Sequence, residues 1–272
     1  MVGPTHCLRL GAAARLPAIL LLVAIAVGRP IETWPEQPTA GGQAVVSAVI
    51  DGDTVMLADG RQLRLAGIAA PKRPLDRPDD APWPLADTAR SALATLVVGK
   101  TVQLAASGAG SDRYGRIVAQ LRTAAGTWVE GELLRGGLAR VCSTAEDRAR
   151  VGEMLALEGE ARAAGRGLWA DPYYRVRSAD AAGDAIGSFQ LVEGKAGRVT
   201  TIRGVTYVEF GADWRSDFTV AIGAPARRLF VAAGLALDSL AGRRIRVRGW
   251  LSSRYGPLIQ ATHPEQIELL PP

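Results

Sequence analysis

The residues that could do chemistry gather in two stretches of this chain. In VIDGDTVMLADGRQLRLAGIAAPKRP, Val49 to Pro74, Asp51 and Asp53 flank a glycine, Arg64 follows on an alternating segment, and Ala69, Ala70, Pro71 and Lys72 end the run. In SDRYGR, Ser111 to Arg116, an arginine comes directly after a Tyr-Gly pair. A carboxylate at a strand end is a hard oxygen ligand suited to calcium or magnesium. Arginines such as Arg64 and Arg116 can fork the oxygens of a phosphate and stabilise charge building up on phosphorus. Each residue also has an ordinary role: Asp51 and Asp53 suit a tight turn, and an arginine on an exposed strand face is commonly just solvated.

Elements able to hold these residues can be read around them. Gln43 to Ile68 alternates like two strands joined at Asp59-Gly60, a hairpin signal. RPLDRPDDAPWP, Arg73 to Pro84, has four prolines and reads as an exposed loop. Leu85 to Val98 has helical spacing and stops at Gly99. Lys100–Ala106 and Arg116–Arg122 read as strands with a loop between them. Val129–Gly136 reads as a short helix, and Thr144 to about Ala164 as a longer one closed by Gly165 and Gly167. Arg148, Arg150, Arg162 and Arg166 interleave with glutamates there, as intrahelical pairs on a solvated face would. Residues 171–187 read as a linker. Strands follow over Phe189–Thr201, Val205–Phe210, Phe218–Ile222, Arg243–Leu251, Leu258–Ala261 and Gln266–Leu269, with a short helix at Ala224–Ala233.

The chain ends and the composition bound the setting. Arg9 and Arg15 precede the apolar run LPAILLLVAIAV, with Ala26 and Gly28 as small residues for cleavage. That is the pattern of an export signal over 1–28; the run is short for a membrane span, and an uncleaved anchor is the alternative. A connector fills 29–42. The expected site of action is outside the cytoplasm: periplasmic, secreted, or held at the inner membrane by that segment. Cys7 falls in the signal, which leaves Cys142 alone and excludes an intrachain disulfide and a zinc site. Cys142 is expected as a small buried hydrophobe. The formal charge of +5 and pI of about 9.6 suit an anionic partner,. Lys and Arg nearly balance Asp and Glu over 43–170, so a nucleic-acid surface must come from local clustering.

Five segments in order, VIDGDTVMLADGRQLRLAGIAAP, a helix, DRYGRIVAQL, VEGELLRGGLARV and EARAAGRGLW, together resemble the thermonuclease, or staphylococcal-nuclease-like, family. The resemblance covers about Ala44 to Trp169. It implies an α+β fold: a five-stranded Greek-key barrel of the OB type with three helices. It also implies descent from a secreted calcium-dependent phosphodiesterase. By position, Asp53 matches the family's first metal-binding aspartate, and Arg64 and Arg116 match its two phosphate-binding arginines.

This chain departs from the family pattern where the run ends. Stretches such as GIDAPE or VDTPE carry a second metal-binding aspartate and a glutamate proposed as general base. Here the run is GIAAPK, with Ala69 and Lys72 at those positions. Losing a carboxylate lowers calcium affinity, and replacing a general base with an ammonium forfeits on the order of 10² to 10⁴ in rate. Three readings follow. The barrel is a nucleic-acid- or phosphate-binding module, with Lys72 joining Arg64 and Arg116. Or it is an active calcium-dependent nuclease that draws a carboxylate from Asp76, Asp79 or Asp80. Or it is a protein-interaction scaffold.

The second half, 188–270, resembles more loosely an OB-like module, and a smaller β-barrel is expected. Alternation in RRIRVRGW places Arg244, Arg246 and Arg248 on one sheet face. That face could track a phosphate backbone or be a solvated outer face. Trp214, Tyr207 and Tyr255 could stack on bases or complete the core, and His263 sits before Pro264 without a catalytic partner.

Overall fold

A computed structural model describes residues 42–73, 82–213 and 215–271, except for the side chain of Ala109. Residues 1–28, expected as an export signal, most of the connector, Asp76, Asp79, Asp80 and Trp214 lie outside the described residues.

The first half closes a five-stranded barrel in the order β1-β2-β3-β6-β5. Its strands are β1 Gln43–Asp51, β2 Thr54–Leu57, β3 Gln62–Leu65, β5 Thr101–Ser111 and β6 Ile117–Thr123, with a two-residue β4, Ile68–Ala69, outside the ring. The stretch expected as two strands is thus three barrel strands. Asp51-Gly52-Asp53 breaks β1 from β2, and Asp59-Gly60 joins β2 to β3. Gly60 has φ of 85°, a left-handed conformation that glycine adopts without strain,. Alternation packs Val46, Val55, Leu57, Leu63, Leu65, Val102 and Leu121 inside, all 0–1% exposed,. β5 runs on to Ser111, so part of the expected 107–116 loop is strand, with a register shift against β6 after Ala106.

Three helices cover the barrel. α1, Ala86–Val97, buries Ala89, Leu93 and Val97 at the helical spacing read from sequence. α2, Val129–Arg135, buries Leu133 and Leu134. α3, Val151–Ala163, begins seven residues later than expected, because 144–150 packs as irregular chain instead. A Cβ at Gly108 would lie 2.4 Å from the Glu146 carbonyl oxygen, so β5 and this segment meet backbone to backbone. Between α2 and α3, β7, Arg140–Val141, pairs antiparallel with β4.

The second half is one sheet in the order β10-β11-β12-β14-β13-β9-β8, with β15 also on β13. Its strands are β8 Arg177–Ser178, β9 Phe189–Lys195, β10 Val199–Ile202, β11 Val205–Glu209, β12 Thr219–Ile222, β13 Arg244–Arg254, β14 Gly256–Ala261 and β15 Ile267–Leu269. No ladder among the described residues closes this sheet into a ring, so it is barrel-like rather than a second closed barrel. The expected single strand Phe189–Thr201 is two. At Ala196-Gly197 the chain leaves β13, where Ala196 N–H bonds the Arg243 carbonyl, for β11, where Gly197 N–H bonds the Glu209 carbonyl. α4, Ala224–Ala232, and 3-10 turns at Ala179–Ala185 and Leu237–Leu240 complete a core around Val208, Phe218, Val220, Phe230 and Ile259. Residues 171–187 hold 3-10 turns and β8, which pairs in parallel with β9.

The arginine face of β13 is exposed at Arg244 and becomes buried toward Arg248, which lies against α3. Arg248, 1% exposed, places its guanidinium 2.7 Å from Glu158 Oε2 on α3 and 2.5 Å from Glu268 Oε1 on β15. Glu158 is itself fully buried and accepts from the Val141 N–H at 2.8 Å. Arg246 bridges Glu193 and Glu268, and Arg162 of α3 reaches Glu158. The pairs expected within a solvated helix face are therefore partly cross-domain, as is Arg148 with Glu265 at 2.7 Å. His263 is buried in the same contact, with Nε2 2.7 Å from the Ser143 hydroxyl.

Candidate functional site

The barrel places the candidate residues around one mouth. Ladder register sets Thr54 opposite Arg64 across β2–β3 and Asp51 opposite Thr54 across β1–β2. A register shift between Val49 and Asp51 bends β1 there and turns its end inward,. Gly52 is required by space: a Cβ would come within 2.7 Å of Ala70 Cβ and 2.8 Å of Ala89 Cβ. That contact draws the Asp-Gly-Asp turn onto the chain after β4, the chain that carries Lys72.

Asp53 is 0% exposed and every oxygen of its carboxylate is engaged. Oδ1 accepts from Lys72 Nζ at 2.6 Å and from the Thr54 hydroxyl at 3.0 Å, and Oδ2 accepts from the Ala70 N–H at 2.9 Å. Asp51 accepts from the Asp53 N–H at 2.9 Å through Oδ1 and from Lys72 Nζ at 2.9 Å through Oδ2. One ammonium thus bridges two aspartates. Burial would raise the Asp53 carboxyl, but the charges of Lys72 and Arg64 and the hydrogen bonds from Lys72 and Ala70 hold it below the usual carboxylate range,. Asp51 goes the other way: burial and repulsion from Asp53 raise it against the pull of Lys72.

The two arginines differ in their freedom. Arg64 donates to the Ile68 carbonyl at 3.3 Å and makes no carboxylate pair at salt-bridge distance among the described residues. Cys142 is only half-buried, not enclosed as expected, and its thiol lies beside Arg64. Burial pushes that thiol up, opposed by the arginine. Arg116 is paired with Asp112 at 2.7 Å, and its Nη1 lies 3.5 Å from the Thr54 hydroxyl. Arg113 and Arg116 both lie over the ring of Tyr114, at 4.8 and 5.4 Å, and that ring is 67% exposed. Asp112 went unnoticed in the sequence, although its spacing of four residues from Arg116 was a usable signal.

These donors do not fit the calcium implied by the resemblance. Calcium takes six to eight oxygens; here the oxygens of both aspartates are already hydrogen-bonded, Ala69 contributes none, and an ammonium stands between the carboxylates. No cluster of three or more His, Cys, Asp or Glu able to hold a metal occurs among the described residues. Nor does a described carboxylate at the mouth stand unpaired and ready to take a proton from water. What the arrangement offers is cations: Arg64 directly, with Arg116 and Lys72 each already facing a carboxylate.

Comparison with known proteins places the same part of the chain. The family model described as staphylococcal nuclease homologue matches residues 62–171. An uncharacterized endonuclease of Escherichia coli is 34% identical over 129 residues, which span 46% of this chain and 76% of that protein. A counterpart from Escherichia coli O157:H7 is 33% identical over the same length, with the same coverage.

Proposed function

Because the chain belongs to the staphylococcal nuclease family, we propose that its barrel mouth binds the phosphodiester backbone of nucleic acid without a metal ion, with hydrolysis weak or lost. The observation that carries this reading is the position of Lys72 Nζ between Asp51 and Asp53. A tethered ammonium there competes with a divalent cation for the same oxygens. It also shares Asp53 with the charge of Arg64, and Asp53 binds the Thr54 hydroxyl that Arg116 approaches. Arg64 is the first phosphate contact; Arg116 exchanges Asp112 for phosphate as the ligand arrives. The names of the relatives favour a second reading, an active endonuclease that takes a carboxylate from Asp76, Asp79 or Asp80.

The deciding experiment follows binding and cleavage of labelled DNA and RNA by the purified chain, with calcium and with chelator. The expected result is binding that chelator leaves unchanged, with little or no cleavage. Arg64→Ala with Arg116→Ala should weaken binding and reduce the slope of log affinity against log salt by about 2. Cleavage that requires calcium would establish the active reading. Affinity unchanged by the double substitution would refute phosphate binding at the mouth, and no binding by the natural chain would leave a protein-interaction scaffold.

Residues 1–28 are proposed to export the chain, on their charged, apolar and small-residue pattern,. Cell fractionation with N-terminal sequencing tests this, and a chain recovered from the cytoplasm with Met1 intact would refute it.

A further inference from the structure

The outer face of the second sheet is used in two ways. Across β9, β13 and β15 its arginines pair with glutamates, Arg246 with Glu193 and Glu268 and Arg248 with Glu158 of α3. Across β10, β11, β12 and β14 the face is partly open: Thr219 and Ala221 are buried on it, while other positions reach solvent. Alternation sends Val208, Val220, Ile222 and Ile259 into the core, all 0% exposed. The intervening positions look outward, where polar residues are the rule for a half-solvated sheet. Instead they include Ile202, 55% exposed, with Tyr207 and Leu258 beside it on the same face. These three, with Tyr255 from the β13–β14 turn, line an open cavity of about 420 Å³, a size in the range of small-ligand sites.

Two features say what this cavity takes. Tyr255 is 73% exposed and has φ of 72°, a conformation that bulky residues rarely adopt,. Such strain persists only where surrounding structure holds it, and it clusters at ligand sites. Charge is the second feature. Arg198 and Arg254 also line the cavity. Arg198 is neutralised by Glu209 at 2.7 Å, whereas Arg254 has no ion-pair partner among the described residues. The groove therefore offers two tyrosine rings, an aliphatic floor and one uncompensated guanidinium.

We propose that this groove stacks the bases of single-stranded nucleic acid, with Arg254 holding the adjoining phosphate. Duplex bases are already stacked and paired; only unpaired bases can reach a tyrosine ring. This second contact is independent of the barrel mouth and would hold a strand whether or not the mouth does.

The test is fluorescence anisotropy of a labelled oligothymidylate, roughly 12 nucleotides long to span one sheet-sized site, titrated with the full chain. Tyr207→Ala with Tyr255→Ala should weaken binding about 10-fold or more; Tyr255→Phe should leave it unchanged. The mouth variant, Arg64→Ala with Arg116→Ala, should keep its remaining affinity dependent on the tyrosines. Should the alanine pair fail to fold, Tyr255→Leu keeps the bulk, removes the ring and carries the same comparison. Unchanged affinity in the ring-less variants overturns the proposal, whatever the mouth variant does. A self-association seen by sedimentation and abolished by the ring-less variants, without loss of oligonucleotide binding, overturns it in favour of a second copy. Loss in the ring-less variants with none in the mouth variant supports the groove and counts against the mouth.

Discussion

Lys72 Nζ lies 2.6 Å from Oδ1 of Asp53, a carboxylate with no solvent exposure. The same nitrogen is 2.9 Å from Asp51. The chain thus carries its own cation at a pair of acids that would otherwise be free to gather a metal. Substituting Lys72 should therefore create metal affinity where the natural chain has little. Calcium titration by calorimetry, or terbium luminescence as a proxy, should give about 10-fold tighter binding for Lys72→Ala. Ala69→Asp with Lys72→Glu should bind tighter again, since each added carboxylate supplies the oxygens calcium needs. In chelator, Lys72→Ala should lose roughly 1–3 kcal/mol, because it strands a buried charge, discounted for an ammonium that is about one-third exposed. Equal calcium binding by natural and substituted chains would show that the ammonium does not guard the site.

Arg248 predicts how the two halves depend on each other. Burial would lower its guanidinium, but Glu158 and Glu268 hold it above its ordinary value. Arg248→Met leaves Glu158 buried and short of its cation, a change worth about 3–5 kcal/mol. Urea unfolding should show that loss, with most of it recovered when Glu158→Gln is added. A loss under about 1 kcal/mol would mean that water reaches this contact.

The sequence and the structure agree most where local pattern and long-range order coincide. The family resemblance carried by motif order implied a barrel and matched Asp53, Arg64 and Arg116 to its site residues, and the fold brings the three to one mouth. What covers a face was not legible. Alternation put Arg244, Arg246 and Arg248 on one side of β13 but could not show that α3 covers Arg248 and leaves Arg244 exposed. Helical spacing likewise ran α3 back to Thr144, since nothing local records that 144–150 packs its backbone against Gly108. Lys72 was legible as a substitution, while its reach to both aspartates depends on the Gly52–Ala70 contact.

Gly137 tests how tightly the end of the nuclease-like half is built. Its φ of 66° disfavours a side chain, and a Cβ would stand 2.1 Å from the Arg166 carbonyl oxygen. Gly115, with φ of 75°, has open space around it. Gly137→Ala should cost more than about 3 kcal/mol, if it folds at all, because strain and overlap add. Gly115→Ala pays only the left-handed penalty, about 1–2 kcal/mol. Denaturation midpoints of the two variants check this, and equal losses would mean that the 137–167 approach relaxes freely.

Glu130 on α2 should make stability depend on pH in a definite direction. It is fully buried, and its two oxygens share the Leu121 N–H at 3.0 and 3.2 Å. Burial is the main cause that raises its carboxyl to about 8, against hydrogen bonds and Arg150 that lower it. An unfolded glutamate titrates near 4.3. Between about pH 4.3 and 8 the folded chain keeps a proton that the unfolded chain has lost. Folding therefore takes up a proton, and the contribution of Glu130, complete below about pH 4.3, declines as pH rises to 8. Glu130→Gln removes that dependence and adds only a constant offset. The stability of the variant relative to the natural chain should climb from pH 5 to pH 8 and then level off. Urea midpoints at each pH unit across that range measure it. A difference that stays flat would mean that the buried carboxyl is already ionised at pH 5 and held so by the Leu121 N–H and Arg150.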